Sequence, residues 1–92
     1  METKEIYCCV HGRVQLVMFR DFVRRKARNL DLIGYVRNKP DSTVEVIAQG
    51  SRDNLEKLIA HMHRGSLLAH VDRVEVEWRE PHSHFTSFDI VF

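Results

Sequence analysis

The sequence predicts an α+β domain in which two amphipathic helices lie on one face of an antiparallel sheet. Three observations carry that expectation. Short stretches alternate apolar and polar residues, as half-buried strands do, and two longer stretches space apolar residues three and four apart, as helices do. The two patterns follow one another as β-α-β-β-α-β with a short strand at the end. The alternation in the third and fourth strands is clean, which implies one covered face and puts both helices on the same side.

In the first strand Ile6, Cys8 and Val10 alternate with Tyr7, Cys9 and His11. From Phe19 the period changes, and Phe19, Phe22, Val23, Ala27 and Leu30 form one helical stripe. Ile33 to Asn38 is a second strand. Lys39-Pro40-Asp41-Ser42 is a turn, because Pro40 presets the φ of its second position and Asp41 suits the third. Thr43 to Gln49 returns as a third strand with Val44, Val46 and Ala48 on one face, and Gly50 ends it. Ser51 is the expected N-cap of a second helix whose stripe is Leu55, Leu58, Ile59 and Met62, with Gly65 expected to close it in a left-handed conformation. Val74, Val76 and Trp78 mark a fourth strand, and Phe88, Ile90 and Phe92 a short last one. This is the split β-α-β, ferredoxin-like arrangement, with the first and third strands central.

Composition narrows the function. At 92 residues the chain reads as a single domain, 1–92, and 14 Lys+Arg against 13 Asp+Glu give no strong field toward nucleic acid or an anionic membrane. The basic residues Arg24, Arg25, Lys26 and Arg28 fall within a helical pattern and read as a solvated helix face rather than an RNA-binding stripe. Cys8 and Cys9 are adjacent in a strand, so their side chains point to opposite faces and cannot bridge; a reducing compartment fits. No apolar run reaches the ~18 residues of a membrane span, and the start Glu2-Thr3-Lys4-Glu5 is not a signal peptide. A cytoplasmic monomer is the expectation. His61 and His63 lie ~200° apart on a helix, and His82 and His84 lack further ligands in register, so no metal site is expected.

The chemistry concentrates between Gly12 and Arg20. A strand, a tight loop and a helix N-terminus make a place for an anion, because the first helical N–H groups lack intrahelical partners and the macrodipole adds roughly +0.5 charge there. Arg20 brings a permanently charged, planar fork suited to phosphate oxygens. Gln15, Leu16, Val17, Met18, Phe19 and Arg20 are the candidate phosphate loop. Asn38, at the end of the second strand, is placed by the topology near the mouth of that loop.

The stretches G-R-V-Q-L-V-M-F-R and G-Y-V-R-N-K-P-D-S-T-V-E-V-I-A-Q-G resemble the acylphosphatase family, whose pattern is G-x-V-Q-G-V-x-F-R, then G-aromatic-V-x-N, a turn, V-E-V and a closing Gly. The resemblance extends through the second helix, Ala69-x-Val71 and Phe88-Asp89-Ile90. It implies hydrolysis of small acyl phosphates to carboxylate and phosphate, without cofactor, metal or covalent intermediate, with inorganic phosphate or sulfate as a site ligand. Under it Arg20 binds the phosphate and Asn38 positions the attacking water. Position alone favours an ordinary solvated helix arginine at 20 and a hairpin-capping asparagine at 38; the loop and the resemblance reverse those readings.

The chain departs from that pattern at Leu16 and Met18, where the family normally and very often, respectively, has Gly, and at Ser42, where Asp-Gly is usual. If position 16 needs left-handed geometry, Leu16 costs on the order of 1–2 kcal/mol there. The departures imply either reduced activity or an apolar rim favouring bulkier acyl groups. The alternative function is a catalytically impaired or non-catalytic anion-binding module of the same fold.

Overall fold

The computed structural model describes residues 2–15 and 18–92. Its elements are β1 (Lys4–Arg13), α1 (Phe19–Asn29), β2 (Ile33–Asn38), β3 (Val44–Gly50), α2 (Arg52–Arg64), β4 (His70–Arg79) and β5 (Phe88–Ile90). They form one five-stranded sheet in the order β4-β1-β3-β2-β5. β1 and β3 are central, as the split β-α-β order requires. The sheet is mixed rather than antiparallel, because β5 pairs parallel with β2, Gly34 opposite Phe88 and Val36 opposite Ile90. Parallel pairing follows from the connection: the chain arrives at the β2 edge from β4, on the far side of the sheet, and not through a hairpin.

The expected stripes form the core. Ile6, Cys8, Val10, Val36, Val44, Val46 and Ala48 meet Phe19, Val23, Ala27, Leu55, Leu58 and Met62, all fully buried. Burial of each larger side chain contributes roughly 1.5–3 kcal/mol. Ser51 caps α2, accepting a hydrogen bond from Asn54 N–H at 3.2 Å. Gly65 ends that helix at φ 73°, but its ψ of 177° is extended rather than left-handed helical. Several element ends moved: β1 extends to Lys4 and Arg13, β3 runs from Val44 through Gly50, β4 begins at His70, and β5 stops at Ile90, leaving Phe92 outside it. Strand ends follow pairing partners, and His70 pairs with Arg13 beyond the bulge at His11/Gly12. At that bulge Gly12 has φ 132°, and a Cβ there would meet His70 O at 2.1 Å, so glycine is required where β1 and β4 run closest.

The face turned away from the helices is solvated at β4 but holds buried acids on the central strands, Glu5 and Glu45, each within a polar network. Glu45 accepts hydrogen bonds from Tyr7 (2.8 Å), Tyr35 (2.9 Å) and Arg37 Nε (2.6 Å). Glu5 is held by Gln49 (2.7 Å), by Arg79 Nε (2.5 Å) and by His82 N–H (3.2 Å). Burial alone would raise the pKa of both carboxyls, but these donors outweigh it and hold both below the ordinary glutamate value. In turn, hydrogen bonding to Glu45 pushes the Tyr7 hydroxyl up to about 12.

A folded-state pKa below the unfolded one makes a carboxylate stabilising above the unfolded value, near 4.3, and that contribution vanishes as pH falls through the folded value. The urea midpoint should therefore decline on acidification from about pH 5 downward. Glu45→Gln should cost about 2 kcal/mol at pH 7, with the deficit shrinking as pH falls, which urea titrations at several pH values would measure. A deficit independent of pH would contradict the assignment.

Candidate active site

Three backbone N–H groups open the site. The first intrahelical bond of α1 runs from Phe22 N to Met18 O at 3.1 Å, so the N–H groups of Phe19, Arg20 and Asp21 precede the ladder. Met18, at the N-cap, provides no side-chain acceptor for them. An uncapped N-terminus on an eleven-residue helix leaves donors and positive dipole directed at the space ahead of it. A cleft of about 330 Å³ lies there, lined by Val14, Met18, Phe19, Arg20, Asp21 and Ile90.

Arg20 stands in that cleft without a carboxylate partner among the described residues; its guanidinium lies 4.9 Å from the centre of the Phe92 ring. Asp21, the neighbouring acid, is committed elsewhere. It accepts from Arg24 at 2.6 Å and from Arg25 at 2.9 Å, and the Arg24 hydrogen bond is the main cause of its lowered pKa. Its charge is thereby offset, while that of Arg20 is not. Phe19 points the other way, into the core, so it can serve an anion only through its N–H. Its burial fixes where α1 begins.

Gln15 proves to be a tie. Its Nε2 donates to Lys39 O and to Thr43 O, both at 2.9 Å, pinning the loop that follows β1 to the β2–β3 turn. That turn is closed by Ser42 N to Lys39 O (3.2 Å) and by Thr43 Oγ1 and N–H on Asp41 Oδ1. Thr43 thus serves the turn. Ser42 takes φ 75°, the glycine-favouring geometry expected of the position after Asp in such a hairpin.

Asn38 immediately precedes the turn. Strand alternation puts it on the same side of β2 as Val36 and Gly34, the side against which α1 packs. Val36 pairs with Ile90, a wall of the cleft. The Asn38 Oδ1 is buried and has no hydrogen-bond partner among the described residues. Such an atom costs roughly 1–3 kcal/mol.

Of the candidate loop, Leu16 and Val17 lie outside the described residues. Met18 is within them, at φ 59° and ψ 23°, a left-handed conformation forced on a β-carbon-bearing residue. Its side chain is 76% exposed, so little packing offsets the strain. Met18→Gly should raise stability by about 0.5–1 kcal/mol, the relief of that strain less the entropy of glycine, as thermal or urea unfolding would show. A loss of stability would mean that Met18 contributes packing that outweighs its backbone.

Phe92 beside Arg20 and Ile90 in the wall were not foreseen. Nothing local marks them, since both come to the site through the parallel register of β5 and the residues after it.

This topology, with a cleft ahead of the first helix, defines a class of small α+β domains with two helices on one face of a split β-α-β sheet. Within that class, the chain belongs to the acylphosphatase family. The family model described as acylphosphatase matches residues 6–90. The chain is 43% identical to an acylphosphatase of Salinibacter ruber over 98% of each chain. It is 50% identical to one of Thermococcus kodakarensis over 78% of this chain and 79% of that one. The crystal structure of acylphosphatase from Bacillus subtilis matches with a TM-score of 0.93 at 31% identity, covering 97% of this chain and 99% of that one. The protein is a hydrolase of this family.

Proposed function

We propose that the chain hydrolyses small acyl phosphates at the cleft ahead of α1, with Arg20 holding the phosphoryl group and Asn38 holding the water. The observation that carries this reading is an Arg20 guanidinium in the cleft with no carboxylate partner among the described residues; it is supported by an Asn38 amide oxygen, on the β2 side against which α1 packs, that is buried and unpartnered among the same residues. Water donates to Asn38 Oδ1 and attacks phosphorus. The P–O bond to the acyl group breaks, the electron pair leaves on the carboxylate, and the water's proton passes to the products. A carboxylate is a weak base, so the reaction requires no strong general acid. Charge on the phosphoryl oxygens is met by Arg20 and by the N–H groups of the helix terminus, and positioning supplies the rest. No step calls for a metal ion.

An apolar shelf adjoins the cleft at Met18. Met18, Leu67 and Leu68 are largely exposed and border a second hollow of about 240 Å³. A bulky apolar acyl group would rest there while its phosphate occupies the cradle. Two features support a cytoplasmic monomer: Cys8 and Cys9 are free thiols, and β5 covers the β2 edge while Arg73, Glu75, Glu77 and Arg79 blunt the β4 edge. No helix among the described residues is long and apolar enough to cross a membrane.

The strained Met18 favours one alternative, an anion-binding module whose catalysis is impaired. The test is a benzoyl phosphate assay, run beside acetyl phosphate, on the natural chain, Leu16→Gly, Met18→Gly and the double variant. Turnover by the natural chain, with benzoyl preferred and the preference reduced by Met18→Gly, is expected. Turnover only after glycine is restored would establish the impaired module, and none in any of the four would overturn the enzymatic reading.

A further inference from the structure

The sheet face opposite the helices carries a second set of reactive side chains. Cys9 and His11 stand two residues apart on β1, so the period of a strand puts both on this face. Glu75 of β4 is the direct cross-strand neighbour of Cys9. The Cys9 thiol, a His11 ring nitrogen and a Glu75 carboxylate oxygen all lie within 4.8 Å of one another. His11 Nε2 and Glu75 Oε1 are 2.7 Å apart.

We propose that Cys9, His11 and Glu75 form a binding site for a zinc-class divalent cation, with water in the fourth position. The donor set selects the ion. Sulfur, nitrogen and oxygen together suit Zn²⁺ and its substitute Co²⁺, whereas Mg²⁺ and Ca²⁺ take oxygen ligands. A thiolate and a carboxylate with a neutral imidazole bring two negative charges to a dication. Bonds of about 2.0–2.3 Å to a tetrahedral centre separate ligand atoms by about 3.3–3.7 Å, so an ion would replace the 2.7 Å His11–Glu75 contact and part those two atoms by under about 1 Å, with the thiol within 4.8 Å of both. The backbone is already fixed, since β1 is paired along both edges.

The surroundings leave this trio distinct. Glu45, across from Cys9 on β3, is engaged by Tyr7, Tyr35 and Arg37 and is not counted as a ligand. Arg73 lies 3.8 Å from Glu75 Oε2 and is the cation that a bound metal must outcompete. Cys8 is buried on the opposite face and cannot contribute. The site is also separate from the cleft ahead of α1, and the hydrolytic reaction does not use it.

The test is titration of the reduced full chain with Co²⁺. A thiolate-to-cobalt charge-transfer band saturating at one equivalent, and bleached by Zn²⁺, is expected. Cys9→Ser should abolish the band. His11→Ala and Glu75→Gln should each weaken Co²⁺ binding by about tenfold or more, while a His61→Ala/His63→Ala variant should bind as the natural chain does. Circular dichroism should show all of these variants folded, because the three side chains lie outside the helix-covered core. No band, a band that survives Cys9→Ser, or affinity unchanged in both His11→Ala and Glu75→Gln would overturn the site. Acyl phosphate turnover does not enter this readout, so failure of the metal site and failure of the hydrolytic reading are told apart.

Discussion

Arg20→Ala is expected to lower kcat/KM for an acyl phosphate by about 1,000-fold or more, on the order of 4 kcal/mol of transition-state stabilisation. The magnitude follows from isolation. Among the described residues the guanidinium contacts only the Phe92 ring, and the other cations of the turn, Arg24 and Arg25, are held by Asp21. Arg20 is the one cation among the described residues that line the cleft. Lysine restores charge without the planar fork, so Arg20→Lys should recover only part of the loss. Stability should move the other way. A cation in the first turn of a helix opposes the macrodipole, so Arg20→Ala should be as stable as the natural chain or more so by about 0.3–1 kcal/mol. Steady-state kinetics with thermal unfolding on one preparation check both halves. Equal loss of activity and stability would place Arg20 in the scaffold.

Asn38→Ala is expected to lower kcat by about 100-fold while inhibition by inorganic phosphate stays within about twofold. In the proposed role the amide positions water and carries no phosphate charge, so its removal should spare ground-state binding. Because Oδ1 is buried and unpartnered among the described residues, deleting it should also raise stability by about 1 kcal/mol. A slower and more stable enzyme is the signature of a residue kept for chemistry. Parallel loss of phosphate affinity would show that Asn38 belongs to the anion cradle instead.

The sheet order, both helices and the hairpin were legible because each rests on a local pattern. Val44, Val46 and Ala48 alternate on one strand, Phe19, Val23 and Ala27 recur on one helix, and Ser51 and Pro40 act within a few residues of themselves. What was hidden depends on distant pairing. The parallel direction of β5 is decided by which sheet edge is free, not by Phe88-Asp89-Ile90. Glu5 and Glu45 look solvated in an alternating strand, yet donors from Arg79, Gln49, Arg37 and two tyrosines bury them. Cys9, His11 and Glu75 meet only through the β1–β4 register.

At the site, the sequence pointed to Arg20 and Asn38; the fold sets Arg20 in the cleft ahead of α1 and Asn38 at the end of β2, on the side where α1 packs. The sequence placed Gln15 in the candidate loop, as a residue that could only shape it, but did not show that its amide is spent on Lys39 and Thr43, the tie that holds loop and turn together. Gln15 lies in the candidate motif, but its partners are backbone carbonyls that carry no mark in the sequence. The strain was expected at Leu16, outside the described residues, whereas the left-handed φ of 59° falls on Met18.

The central claim is that water held at Asn38 attacks phosphorus while Arg20 holds the phosphoryl oxygens. Hydrolysis of benzoyl phosphate in ¹⁸O-labelled water, with both products analysed by mass spectrometry, tests it most directly. The account predicts label in the inorganic phosphate and none in benzoate. Label in the benzoate carboxyl would mean attack at the carbonyl carbon, and would contradict the roles given to both residues.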